Sequence, residues 1–226
     1  MPASRRRLLA GLAALPATGG TALARRPTPA TASTEWPMER YDPAGTSHAA
    51  GHSGPTAAVD VAWRAELPRW FDGQQSPISL DGTLYLAGNG LVAVDADSGD
   101  QRFAFRAPAG STPARADSTV HRTDTLVVTS NAGPAGLNRS GGLQLPGVGT
   151  VGGTRWQLTS ESGSRFFEYD PVSPVTVDGT AYVVLPETDR LAAIDATDGS
   201  VIWEAGESTV GASRVDFRPA VRDGTV

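Results

Sequence analysis

The chain of 226 residues contains no cysteine. That excludes disulfides, cysteine-ligated metal, a thiol nucleophile and a lipid-modified cysteine. Lysine is absent too, and the 19 positive residues are all arginine. No local chemistry needs arginine at every positive position, so the pattern reads as a bias of coding composition. No apolar run reaches the roughly 18 residues a membrane-spanning helix needs. Long charged runs are missing, and hydrophobic residues make up 39%. The bulk of the chain is therefore not compositionally disordered, and its length suffices for one large domain or two small ones. All acids lie from Glu35 onward, while Arg5, Arg6, Arg7, Arg25 and Arg26 precede it. With a net charge of −5, the remainder is more acidic than the total, which disfavours a general nucleic-acid binder.

Glycine (26) and proline (17) are abundant, which argues against a helix bundle and for many short elements joined by turns. The first residues run Ser4-Arg5-Arg6-Arg7-Leu8-Leu9-Ala10, then Gly11-Leu12-Ala13-Ala14-Leu15. A charged start before a short apolar run is the layout of a signal peptide. Consecutive arginines at its front are the twin-arginine arrangement, with Arg5 and Arg6 as the pair, which exports already folded proteins. Ala22-Leu23-Ala24 offers an A-x-A cleavage site. We expect residues 1–24 to be this signal, 25–34 a flexible linker and 35–226 the folded part.

Internal repetition is the strongest signal. Ser76-Pro77-Ile78-Ser79-Leu80-Asp81-Gly82-Thr83-Leu84-Tyr85-Leu86 is answered by Ser173-Pro174-Val175-Thr176-Val177-Asp178-Gly179-Thr180-Ala181-Tyr182-Val183. A third copy starts at Arg218-Pro219-Ala220-Val221-Arg222-Asp223-Gly224-Thr225-Val226. Further on, Leu91-Val92-Ala93-Val94-Asp95-Ala96-Asp97-Ser98-Gly99 matches Leu191-Ala192-Ala193-Ile194-Asp195-Ala196-Thr197-Asp198-Gly199. Each of these runs into an aromatic segment, Arg102-Phe103-Ala104-Phe105 or Val201-Ile202-Trp203-Glu204. Asp-Gly supplies the positive backbone angles of a tight hairpin, and the alternating Val, Ile, Leu and Tyr runs around it are strand patterning. Each unit is thus four short strands. Such a meander cannot bury both faces alone, so units must stack, and radially stacked four-stranded repeats of about 40–45 residues form a β-propeller.

Trp63, Phe103, Trp156 and Trp203 are expected at equivalent places in successive units. The middle unit is degenerate: Thr112-Pro113-Ala114 opens it, Asp124-Thr125-Leu126-Val127-Val128 continues it, and a Gly-rich insertion, 131–153, is expected before Trp156. Trp63, in Val59-Asp60-Val61-Ala62-Trp63, reads as a last strand that closes a ring on a blade begun elsewhere. The third copy breaks off within Asp223-Gly224-Thr225-Val226, so we expect a partial ring of about three blades plus the start of another, as in a fragment.

The pattern A-x-D-x-x-T/S-G-x-x-x-W, seen as Ala193-Ile194-Asp195-Ala196-Thr197-Asp198-Gly199 with Trp203 four residues on, resembles the PQQ-like repeat. Phe103 stands for the tryptophan in the first good copy. Trp36-Pro37-Met38-Glu39-Arg40-Tyr41-Asp42-Pro43-Ala44-Gly45-Thr46 is similar to the opening segment of secreted PQQ-like propellers, of which haloarchaeal examples often carry a twin-arginine signal. The resemblance covers about residues 35–226. It implies closed rings of about twice as many blades. It also implies one of two functions: quinoprotein dehydrogenases holding pyrroloquinoline quinone and calcium, or a BamB-like branch that keeps the fold and binds proteins or peptides. Fold alone does not choose between them. The resemblance would place a disulfide of adjacent cysteines against the quinone, and this chain has none.

Other motifs point to no chemistry. Gly147-Val148-Gly149-Thr150-Val151-Gly152 matches G-x-G-x-x-G by letter, but Leu145-Pro146 precedes it and no helix follows to meet a phosphate. Asp95-x-Asp97-x-Gly99-Asp100 has calcium-like spacing, yet it is flanked by strand patterns and lacks a terminal glutamate. His48 and His52 lie among Gly45, Gly51, Gly54 and Pro55, so no helix aligns them for metal, and His121 is remote. No G-x-S-x-G elbow occurs. Asn138-Arg139-Ser140 is a glycosylation sequon, used where the host has the machinery and idle otherwise. We assign no catalytic, cofactor-binding or metal residue and expect no cofactor. The reading is an exported all-β propeller module that binds a protein or peptide at the cell envelope, with no nucleic-acid partner and no membrane span. The alternative is a fragment of a quinone- and calcium-dependent dehydrogenase.

Overall fold

A computed structural model describes residues 35–73, 75–159, 171–186, 190–206 and 217–226. The signal and linker, 1–34, lie outside the described residues, as does the span 160–170 that follows the middle unit. Every regular element among the described residues is a strand. Twelve of them make three four-stranded antiparallel sheets, the blades of a partial β-propeller. Blade 1 is β1 (Ile78–Leu80), β2 (Thr83–Ala87), β3 (Leu91–Asp95) and β4 (Gln101–Phe105), paired in that order. Blade 2 is β5 (Ala114–Ala116), β6 (Thr125–Ser130), β7 (Gly133–Asn138) and β10 (Thr154–Gln157). Blade 3 is β11 (Val175–Val177), β12 (Thr180–Leu185), β13 (Arg190–Asp195) and β14 (Val201–Ala205). A hairpin of β8 (Leu143–Leu145) and β9 (Gly149–Val151) stands between the third and fourth strands of blade 2.

The Asp-Gly pairs behave as their chemistry requires. Asp81 and Gly82 have φ of 45° and 67°, Asp178 and Gly179 have 47° and 78°, and Asp223 and Gly224 have 50° and 75°. Two consecutive positive φ values define the tight turn whose twist suits a hairpin. The third copy closes the same way, with Arg222 and Thr225 exchanging backbone hydrogen bonds of 2.9 Å.

Two expectations are corrected. The segment 131–153 is not an insertion throughout. Its first half is β7, the third strand of blade 2, paired residue for residue with β6 from Ser130↔Gly133 to Thr125↔Asn138. Gly-Pro-Ala-Gly has little strand propensity, but burial on both faces holds it in place. Only the part carrying β8 and β9 projects. Residues 59–63 belong to no strand of the described sheets, although Trp63 occupies the position expected of a closing aromatic residue.

The cores lie between blades. Residues of β6 alternate: Leu126 and Val128 join Ile78, Leu80, Tyr85, Leu91 and Phe105 of blade 1. Val127 faces the other way, with Trp156, against Ala181, Val183, Ala192 and Ile194 of blade 3. A strand buried on both faces reads as the unbroken apolar run that the sequence shows here. At about 1.5–3 kcal/mol for each fully buried aliphatic side chain, these layers outweigh any single polar contact.

The leading segment ties the first strands of successive units together. Trp36 exchanges backbone hydrogen bonds of 2.7 and 3.1 Å with Ser79 of β1, and the Pro37 carbonyl accepts from Arg115 of β5 at 2.9 Å. Met38 is buried with Ala114, Val175 and Val221, one from each later unit. The Pro43 carbonyl accepts from Val221 N–H at 2.8 Å, and Arg218 Nη2 donates to the Asp42 carbonyl at 3.0 Å.

Candidate functional site

The recurring Asp, Gly and aromatic residues form one device for joining blades. Asp95 Oδ1 accepts from the N–H groups of Asp97 and Ser98 at 3.0 Å each, and Asp195 Oδ1 accepts from Thr197 N–H at 2.7 Å. These side chains shape the turn that ends at a positive-φ glycine, Gly99 or Gly199. A tryptophan from earlier in the chain lies on that glycine, Trp63 from outside the described sheets and Trp156 from blade 2. Trp63 donates from its indole N–H to the Ala96 carbonyl at 3.0 Å, and Trp156 to the Ala196 carbonyl at 2.9 Å. A Cβ on Gly99 would stand 2.5 Å from the Trp63 ring, and one on Gly199 2.8 Å from that of Trp156. Arg102 pairs with Asp95 at 2.7 Å. That hydrogen bond, helped by the N–H groups of Ser98 and Asp97, lowers the Asp95 pKa to about 2. Both Asp95 carboxylate oxygens are thus engaged in shaping the turn.

Blade 2 carries the same device in a form its sequence hides. Asn138 pairs with Thr125 as Asp95 pairs with Thr83 and Asp195 with Thr180. Its Oδ1 accepts from Ser140 N–H at 3.0 Å, and Gly141 at φ 81° receives the Phe103 ring, 2.5 Å from where a Cβ would be. The sequon is therefore the blade's turn. Asn138 Nδ2, the atom a glycan would take, donates to the Gly152 carbonyl at 3.1 Å. The signal that could have revealed this was the Thr···Asx spacing across the hairpin.

The remaining motifs fall in separate places. His48 and His52 are exposed in the leading loop, while His121 Nε2 meets the Thr197 carbonyl at 3.1 Å, linking blades 2 and 3. Gly147-Val148-Gly149 is the tip of the β8–β9 hairpin, where Val148 N–H donates to the Leu145 carbonyl at 3.1 Å. Among the described residues no three His, Asp or Glu side chains cluster for a metal.

Arginine gathers the carboxylates near the first strands. Arg115 pairs with Asp117 at 2.6 Å, Glu35 at 3.5 Å and Asp124 at 3.6 Å. Arg139 pairs with Asp124 at 3.0 Å and with Asp81, and bonds the Tyr85 hydroxyl at 3.2 Å. Burial opposes the charge on Arg139, but Asp81 and Tyr85 outweigh it and its pKa rises. The Arg139 hydrogen bond likewise lowers that of Asp81. Pyrroloquinoline quinone with calcium requires free oxygen donors beside an open face. Here those carboxylates are held by arginine, so this cluster offers no free carboxylate to a calcium ion.

One open groove, of about 520 Å³, lies between blades 1 and 2. The partly buried Phe103 ring, 6.4 Å from that of the buried Tyr85, borders it, with Arg102, Arg122 and Arg139 and the carboxylates Asp81 and Asp124. Arg102 and Arg122 are exposed. Apolar rings beside a few arginines make a surface suited to a side chain or short peptide segment.

Two solved dehydrogenase structures that align with this chain share its fold. A europium-containing methanol dehydrogenase aligns with a TM-score of 0.56 and 14% identity, over 76% of this chain and 31% of that one. The quinohemoprotein alcohol dehydrogenase of Comamonas testosteroni gives 0.55 and 16%, over 76% and 27%. BamB from Moraxella catarrhalis gives 0.39 and 19%, over 55% and 33%. The chain spans about a third or less of the length of each. No curated protein matches the sequence. The family profile described as outer membrane protein assembly factor BamB matches residues 12–226, and the chain accordingly belongs to that family of PQQ-repeat propellers.

Proposed function

We propose that this chain is an exported, non-catalytic propeller module that binds a protein or peptide at the cell envelope. The observation that carries the reading is the groove between blades 1 and 2, bordered by the partly buried Phe103 and the exposed Arg102 and Arg122. Arginine is a residue around which binding energy concentrates, and the exposed Arg122 at this groove favours a segment bearing a carboxylate. Family membership supports a protein partner, and the Arg5-Arg6 leader supports export. The ion-paired carboxylates of the first strands support a role without acid–base chemistry.

A photo-crosslinking amino acid in place of Arg122, in the full chain expressed in its host, tests this. The expected result is one envelope protein adduct that Arg102→Glu weakens by about tenfold, the size of one exposed charge contact plus its lost steering. Titration with pyrroloquinoline quinone and calcium tests the dehydrogenase alternative. Micromolar binding with alcohol-dependent dye reduction would overturn our reading.

A further inference from the structure

The β8–β9 hairpin presents apolar side chains to solvent: Leu143 is 62% exposed, Leu145 38%, Val148 74% and Val151 50%. It forms a two-stranded sheet with no further strand on either edge among the described residues. Gln144 and Thr150 occupy the other face, joined by a side-chain hydrogen bond of 2.6 Å. An isolated two-stranded sheet is marginal in water, and an uncharged apolar edge is a template for another strand. Edges left open in monomers are commonly guarded by charge. None guards this one: residues 140–153 contain no Asp, Glu or Arg.

We infer that a second copy of this chain docks here, by antiparallel pairing of β8 with β8 about a two-fold axis. Leu143-Gln144-Leu145 reads the same in both directions, so the register centred on Gln144 sets Leu143 opposite Leu145 of the other copy. Gln144 then meets its own counterpart. Paired residues share a face, so the leucines of both copies stay together. Leu143 also pairs with Val151 and Leu145 with Gly149, so each apolar row crosses four strands. Neutrality lets two copies of an acidic chain meet here without like charges opposed. The interface is small, which puts it among the weak, transient associations. This inference is independent of the proposed function, since the groove and the hairpin edge are different surfaces.

Because the chain has no cysteine, a single introduced thiol reports a single contact. Gln144→Cys in the full chain should form a covalent dimer with a short bis-maleimide, since directly opposed Cβ atoms lie about 4.5–5.5 Å apart. Val120→Cys, exposed on a loop of blade 2, should cross-link at least tenfold more slowly. In sedimentation, the unmodified chain at about 100 µM should show dimer, and Leu143→Asp with Leu145→Asp should return it to monomer with unchanged tryptophan fluorescence. A monomeric unmodified chain at that concentration overturns the proposal and leaves the edge to a different protein. A dimer indifferent to the aspartates, or equal cross-linking at 120 and 144, overturns it too.

Discussion

Replacing Gly199 with alanine separates two reasons for a glycine at the end of the blade turn. Gly199 has φ 83°, and its Cβ would stand 2.8 Å from the Trp156 ring. Gly82 has φ 67° and nothing within 4 Å of its Cβ position. Alanine at either place meets the left-handed penalty of about 1–2 kcal/mol. Only Gly199→Ala must also displace a buried indole and its 2.9 Å hydrogen bond to the Ala196 carbonyl, an overpacking cost of about 1–3 kcal/mol. Urea unfolding should therefore show a loss of about 1–2 kcal/mol for Gly82→Ala and about 2–5 for Gly199→Ala. The difference in Tm follows at about 2–4 °C per kcal/mol for a chain of this size. Combining Gly199→Ala with Trp156→Ala should remove the excess, so the pair is non-additive. Equal losses for Gly82→Ala and Gly199→Ala would refute the idea that the glycine exists to receive the tryptophan.

Trp156→Ala, which empties a site only 9% exposed, should cost about 3–5 kcal/mol. Trp203→Ala, 38% exposed, should cost under about 1.5 kcal/mol by the same denaturation assay. The Asp95 carboxyl should titrate near pH 2 by NMR, and higher in Arg102→Gln. Because its pKa is depressed, its stabilising contribution is complete above about pH 4 and is lost as pH falls toward 2. Asn138→Ala should destabilise blade 2 by about 1–3 kcal/mol through its lost turn and hairpin bonds. The intact mass of the protein isolated from its host should carry no glycan at that asparagine, and a glycan mass would show that the Asn138 to Gly152 bond opens in the cell.

Blades 1 and 3 were legible from local pattern alone. Their Asp-Gly turns, alternating strands and Asp95 and Asp195 turns depend on residues within a few positions of one another, and local conformation follows local chemistry. The pairing of those repeats as a propeller was legible too, since a four-stranded unit with two apolar faces must stack. Blade 2 was legible only in part. Gly133-Pro134-Ala135-Gly136 carries no strand signal, and it forms β7 because neighbouring blades bury it. Gly136 leaves room for the Trp156 ring, whose atoms lie 2.3 Å from a would-be Cβ. The role of Asn138 depended on its partner Thr125 across the hairpin, and that of Gly141 on Phe103 of another blade. The groove of Tyr85, Phe103, Arg102 and Arg122 gathers residues from two blades, with no spacing to mark it. The sequence by itself therefore determined the repeating unit, its turns and the need to stack. Tertiary structure decided which glycines receive which rings, which carboxylates are taken up by arginine and which surfaces remain open, because those contacts join residues far apart in the chain.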